Sequence, residues 1–148
     1  KNNLQLYKAV NFPYEWKVEK TLIENCKLLD AIWIFHDDLY FMFANKINDY
    51  EYDKNDNLYL YYSDDLLNGN WKSHPQNPIV TDSRKARNAG NIFIKKGKMY
   101  RPSQDCSETY GANLVLNEIV ELSAEKYGEV ISESIFPPKH FVGLHTFN

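Results

Sequence analysis

Cysteine is scarce in this chain, with two in 148 residues, Cys26 and Cys106. A disulfide framework and paired metal-type Cys spacing are both excluded, and each thiol reads as a small buried apolar group. There is no Asn-x-Ser/Thr sequon, so nothing argues for a glycosylated secreted protein. No apolar run approaches the roughly 20 residues needed to cross a bilayer, so no membrane span is expected. Basic charge is not in excess either. The net charge is −3, so there is no general field to draw in nucleic acid. No signal peptide is visible and a cytoplasmic address is expected, although the first residue is Lys1 rather than Met. Neither a cofactor nor a metal site is expected.

What the chain does have is strand signal. Apolar residues make up 43%, and aromatics reach 15%, with 11 Tyr, 8 Phe and 3 Trp, as suits a sheet-rich single domain. "LQLYKA" (4–9), "AIWIFH" (31–36), "LYFMFA" (39–44), "NLYLYYS" (57–63), "GNIFIKK" (90–96), "KMYRPS" (98–103) and "NLVLNEI" (113–119) are short, aromatic or β-branched, and punctuated by turn residues. The one place expected to form a short helical turn is 121–126.

Self-similarity organises these strands. "LQLYKAVNFPYEWKV", "LYLYYSDDLLNGNWKS" and "LVLNEIVELSAEKYGEV" share a template of strand, polar turn, then an aromatic opening the next strand. Trp16, Trp71 and Tyr127 are the aromatics in question, spaced 55 and 56 residues apart. A second hairpin follows the first two copies. Four short antiparallel strands per repeat is the pattern of propeller blades. The expected fold is all-β, a partial β-propeller of four-stranded antiparallel blades. Its parts are a half blade over 1–29, blades over 30–81 and 82–133, and the start of a further blade over 134–148. Such wedges need neighbours, so the remaining blades of the same propeller are expected partners. An open β-meander sandwich is the alternative.

In a propeller the first strand of each blade runs beside the central channel, so its entry residues converge on one axis. Asp30, Arg87 with Asn88, and His145 would face that funnel, with Arg101, Gln104 and Asp105 returning to its rim; Gly90 and Gly111 would allow close backbone approach. Carboxylates, amides and a guanidinium in one funnel suit a polyhydroxylated carbohydrate ligand, with Trp33 or Tyr110 stacking on a sugar face. Glycosidic chemistry ordinarily takes two carboxylates. Asp30 and Asp105 are the best placed, and Glu108 is a weaker third. Each residue has a structural alternative. Asp30 is also a strand cap, Asp105 an ion-pair partner of Arg101 or Arg87, Arg87 an inter-blade strut and His145 a satisfied inner-strand histidine. His36 and His74 read as surface turns, and "HPQNPI" (74–79) as an edge stretch broken by proline.

Five motifs in order, "LYKAVNFPYEW", "SDDLLNGNWKSHPQNPIV", "ARNAGNIF", "RPSQDC" followed by "YG", and "GLHTFN", span essentially the whole chain. Together they resemble the five-bladed β-propeller domain at the N-terminus of glucosamine inositolphosphorylceramide transferases, which also occurs beside formyltransferase-like or glycosyltransferase modules. That family looks like a relative of the arabinanase, levansucrase and invertase superfamily, including glycoside hydrolase family 43. The resemblance implies that this chain corresponds to the C-terminal three blades. It implies a catalytic tuning role for Asp30 and, for His145, a place near the axis where some relatives hold a metal or water. The acid and base would belong to upstream blades. The leading expectation is a glycoside-hydrolase-like domain acting on or binding glycans, with Asp30 tuning and Arg87 and Gln104 holding hydroxyls. The alternatives are a non-catalytic glycan or glycolipid module beside a transferase, and a protein-interaction propeller.

Overall fold

The computed structural model describes residues 2–47 and 54–147. Twelve strands and no α-helix occur among them. A hairpin comes first, β1 (Leu4–Asn11) against β2 (Glu15–Ile23). An antiparallel sheet follows, β3 (Leu28–His36), β4 (Leu39–Lys46) and β5 (Asn57–Ser63), its fourth position shared by β6 (Lys72–Ser73) and β7 (Val80–Thr81). A second antiparallel sheet begins with β8 (Arg87–Asn88) and β9 (Phe93–Lys95), both paired to β10 (Lys98–Asp105), and continues with β11 (Asn113–Leu122) and β12 (Tyr127–Ile135). The three copies of the sequence repeat occupy corresponding places, since Trp16, Trp71 and Tyr127 lie at the start of β2, β6 and β12. The sheets do not close on one another.

The strands form where apolar residues alternate, and the alternation decides what they bury. Phe41 and Phe43 of β4, and Leu58 and Leu60 of β5, point from one face of the first sheet with almost no exposed surface. They meet Ile119 and Leu122 of the second sheet and Ala86 just before it, with Met99 and Tyr127 packed against them. The ring of Phe43 lies edge-on to Tyr127, with centroids 5.5 Å apart. One apolar layer therefore joins the two sheets, and β8 lies against β3, β4 and β5 at its end.

Where proline interrupts the outer strand, a side chain completes the ladder. The Asn77 amide donates to the Leu60 carbonyl at 2.7 Å and accepts from the Leu60 amide at 2.7 Å, mimicking a peptide unit between β6 and β7. Two expectations fail here. Residues 121–126 make no helical turn. They form a tight bend in which the Ser123 hydroxyl accepts from the amides of Glu125 and Lys126, and the flanking residues pair as β11 and β12. His74 is not a surface residue. It is 2% exposed, with Nε2 3.2 Å from the Ser123 carbonyl and Nδ1 accepting from the Gln76 amide at 3.2 Å. The bend of the second sheet is thus clamped to the proline stretch of the first, which the sequence neighbours of His74 do not reveal.

Two predictions follow from this packing. Leu60→Ala is expected to cost about 2–5 kcal/mol through lost burial and the cavity left behind, read as a lower urea midpoint at unchanged slope. Burial pushes His74 below its ordinary 6.5, against the opposing pull of the Ser123 carbonyl. The unfolded chain then binds a proton that the folded chain refuses, so the stability contribution is intact above about pH 6.5 and falls as pH drops through the lowered folded value. His74→Gln is expected to flatten this decline between about pH 7.5 and about pH 5.5 in urea titrations.

Candidate functional site

The entry ends of β3 and β8 meet. At Asp30 the register between β3 and β4 breaks, between Leu29 and Ile32, and the residue adopts φ 47°, a left-handed conformation tolerated by aspartate. The break turns the half-exposed carboxylate toward the second sheet, where Oδ2 lies 2.6 Å from Nε of Arg87. The N–H is not aligned with that oxygen, so the contact is an ion pair rather than a well-formed hydrogen bond. Arg87 itself is buried, with Nη1 donating to the Lys54 carbonyl at 3.2 Å.

The Arg87 guanidinium carbon sits 5.8 Å from the Tyr110 ring centroid, a cation–π contact. The Tyr110 hydroxyl is 2.9 Å from Nε2 of His145, whose Nδ1 is 2.8 Å from the Thr146 hydroxyl. Asp30, Arg87, Tyr110 and His145 thus form a continuous string, with the two ends and the tyrosine ring open to solvent. The tail that carries His145 is held by backbone contacts. The Leu144 amide donates to the Gly111 carbonyl at 2.8 Å, the Phe147 amide to the Ala89 carbonyl at 2.7 Å, and the Phe147 ring stacks on Phe93. Residues 136–147 contain no strand. Close passage of Phe147 at Gly90 accompanies the gap between β8 and β9, a gap absent from the continuous strand expected over 90–96.

The remaining expected site residues lie elsewhere. Asn88 is buried behind the pair; its Nδ2 donates to the Asp30 carbonyl at 2.9 Å and to the Phe43 carbonyl at 3.2 Å. Arg101 does not reach the rim. It has no exposed surface and makes a two-point ion pair with Glu129, Nε to Oε2 at 3.0 Å and Nη2 to Oε1 at 2.9 Å. Gln104 is the cross-strand neighbour of Arg87 and equally buried, its amide atoms without a protein partner beside Gly111. Asp105 pairs with neither arginine. It accepts from the amide and hydroxyl of Ser107 at 3.0 and 2.6 Å, closing its own turn. Glu108 is exposed, and Trp33 packs at a tilt against Tyr40 and lines a hollow under the β1–β2 hairpin, apart from the string. Burial pushes the Cys106 thiol up, which removes it as a nucleophile near neutral pH.

Sequence reasoning missed Glu129, Tyr127 and Lys85. The Tyr127 hydroxyl donates to Glu129 Oε2 at 2.5 Å, and Lys85 Nζ lies 3.5 Å from Oε1. Burial opposes the charge on Glu129, but the Arg101 guanidinium outweighs it and holds the carboxyl below the usual range. The signal was available in part: a buried arginine calls for a carboxylate in the same sheet, here two strands away on β12.

Set beside known proteins, the chain matches the family model described as glucosamine inositolphosphorylceramide transferase 1, N-terminal, over residues 1–140. It is 42% identical over 132 residues to glucosamine inositolphosphorylceramide transferase 1 of Oryza sativa subsp. japonica, covering 88% of this chain and 18% of that protein. The Arabidopsis thaliana protein of the same name is 40% identical over 129 residues, covering 86% of this chain and 17% of its own length. The chain therefore spans less than a fifth of the curated relatives it matches. No solved structure matches it.

Gly111 is the position on which the tail docking depends. Its φ is +67°, and a Cβ there would lie 2.6 Å from the Leu144 carbonyl oxygen. Gly111→Ala is expected to cost about 1–3 kcal/mol in strain and to release the tail, read as faster amide hydrogen exchange at Leu144 and Phe147.

Proposed function

The chain belongs to the glucosamine inositolphosphorylceramide transferase 1 N-terminal family, and from that premise we propose that it is a non-catalytic carbohydrate-recognition module accompanying a glycosyltransferase. The observation that carries this reading is the string of Asp30, Arg87, Tyr110 and His145. It sets a carboxylate acceptor, an exposed aromatic ring and an imidazole along one line, the kind of surface that takes hydroxyl hydrogen bonds and a sugar face together. Asp30 and Arg87 anchor the ligand hydroxyls, and Tyr110, held by its contacts with Arg87 and His145, supplies the platform. Asn88 and Gln104 shape the floor beneath them.

Hydrolysis is the weaker reading. Among the described residues the string holds a single carboxylate, Asp30, while cleavage of a glycosidic bond ordinarily takes two. Asp105 is committed to its turn and Glu108 to solvent.

In this proposal the two sheets, each of four strand positions, are blades of a propeller, and the segment after β12 leads into the next one. The tail crossing Gly111 and Ala89 favours that view. So do the exposed Trp33 and Phe35 on the outer face of the first sheet, about half accessible at 49% and 53%. Those faces suit cover by neighbouring blades of a longer protein.

A glycan array spanning amino sugars, neutral hexoses and uronic acids, followed by calorimetry, tests the function. Saturable binding without turnover is expected, and Tyr110→Ala is expected to weaken it about 10–100-fold. Release of product from aryl glycosides, lost in Asp30→Asn, would restore the hydrolytic reading.

A further inference from the structure

We propose that Arg101 and Glu129, deep in the second sheet, are positioning residues for the Asp30–Arg87 pair and act on it through Asn88. The inference rests on reading that pair as part of the recognition surface, but its physical argument is independent of any ligand.

An asparagine side chain has one accepting end and one donating end, and which way round it lies is set by its neighbours. Asn88 Oδ1 accepts from Arg101 Nη1 at 3.1 Å. A guanidinium only donates, so this contact forces the oxygen of Asn88 inward and its NH2 group outward. The NH2 group then reaches the Asp30 carbonyl at 2.9 Å, at the residue whose left-handed backbone aims the carboxylate toward Arg87. A second arm of the same guanidinium, Nη2, donates to the Lys85 carbonyl at 2.8 Å and so pins the segment that leads into Arg87. Arg101 therefore holds both members of the pair, Asp30 through Asn88 and Arg87 through the backbone before it.

Glu129 orients Arg101 in turn by the two-point ion pair, and Tyr127 and Lys85 hold Glu129. Bulk stability does not require this arrangement, because well-packed apolar residues replace a buried ion pair at little or no loss. Direction draws on it, since Arg101 fixes the Oδ1 end of the amide while the Asp30 and Phe43 carbonyls fix the Nδ2 end, and an apolar replacement removes the first of these holds.

The test is nuclear magnetic resonance on the whole chain, reading water exchange of the Arg87 Nε–H proton and the two Nδ2–H signals of Asn88. In the double substitution Arg101→Met with Glu129→Leu, the Arg87 proton is expected to exchange about tenfold faster, and the Asn88 pair to lose its separate bonded shifts. Ile119→Val, which loosens the same sheet without touching the chain of bonds, is expected to leave both signals unchanged. Unchanged signals in a folded double variant would overturn the proposal. Should that variant not fold, Tyr127→Phe with Glu129→Gln decides. Exchange about threefold faster supports the proposal, and wild-type exchange sinks it. Because neither readout needs a sugar, failure on the glycan array refutes the recognition reading and leaves this one standing.

Discussion

A guanidinium with no exposed surface has lost all of its water, and each of its nitrogens must find a partner inside the protein or the charge is costly there. Arg101 meets this demand with the Glu129 carboxylate, the Asn88 amide oxygen and the Lys85 carbonyl. These partners come from an outer strand, from the first strand of the same sheet and from the connection between the sheets. No single sheet register supplies them. Arg101 therefore ties the second sheet to the connection that precedes it, and Asn88 carries the tie on to the Asp30 and Phe43 carbonyls of the first sheet. Asn45 adds a parallel tie. Its Nδ2 donates to the Asn57 and Ala86 carbonyls at 3.0 and 2.9 Å, and its Oδ1 accepts from the Asn88 amide at 3.0 Å.

This polar core explains why the site lies where it does. Strands that simply continued would leave Asp30 and Arg87 on separate sheets with their side chains unrelated. The break at Asp30 and the short first strand at Arg87 each leave backbone groups unpaired, and the asparagines answer those groups across the gap. Irregular backbone and the buried amides are two aspects of one device, which turns two strand ends toward each other and lets Tyr110 and His145 close over them.

Much of this was readable in the sequence, and the reasons for the gaps are physical. Strand periodicity and the Trp16, Trp71 and Tyr127 spacing are local properties, so the sheets appear where the alternation puts them. The meeting of Asp30 with Arg87 was legible because the repeat places both near strand entries, whereas His145 reaches them on a tail that contains no strand. The fate of Arg101 and His74 was not, because it depends on partners far along the chain, while Asp105 is taken by its own turn through Ser107. Arg101 sits 28 residues from its carboxylate and His74 49 residues from its carbonyl. Strand alternation says which face such a side chain takes, but not what waits on that face. The misread bend at 121–126 has a different origin. Its helix-forming residues, Glu121, Ala124, Glu125 and Lys126, are overruled by the Ser123 cap and by pairing of the flanking strands.

The same constraint bears on what kind of module this is. A catalytic carboxylate pair has to be held apart at a set distance with room for substrate between. Here, among the described residues, the string holds one carboxylate, ion-paired to an adjacent arginine whose preceding backbone is held by Arg101. Such an arrangement offers no second carboxylate among the described residues, but it suits a fixed binding surface. On the proposed reading, ligand hydroxyls would meet the outer atoms of a pair whose geometry is already fixed, leaving little ordering to be done on docking. Rigid presentation of a polar edge beside an aromatic ring is the property a recognition module needs from its scaffold, and the buried arginine provides the rigidity.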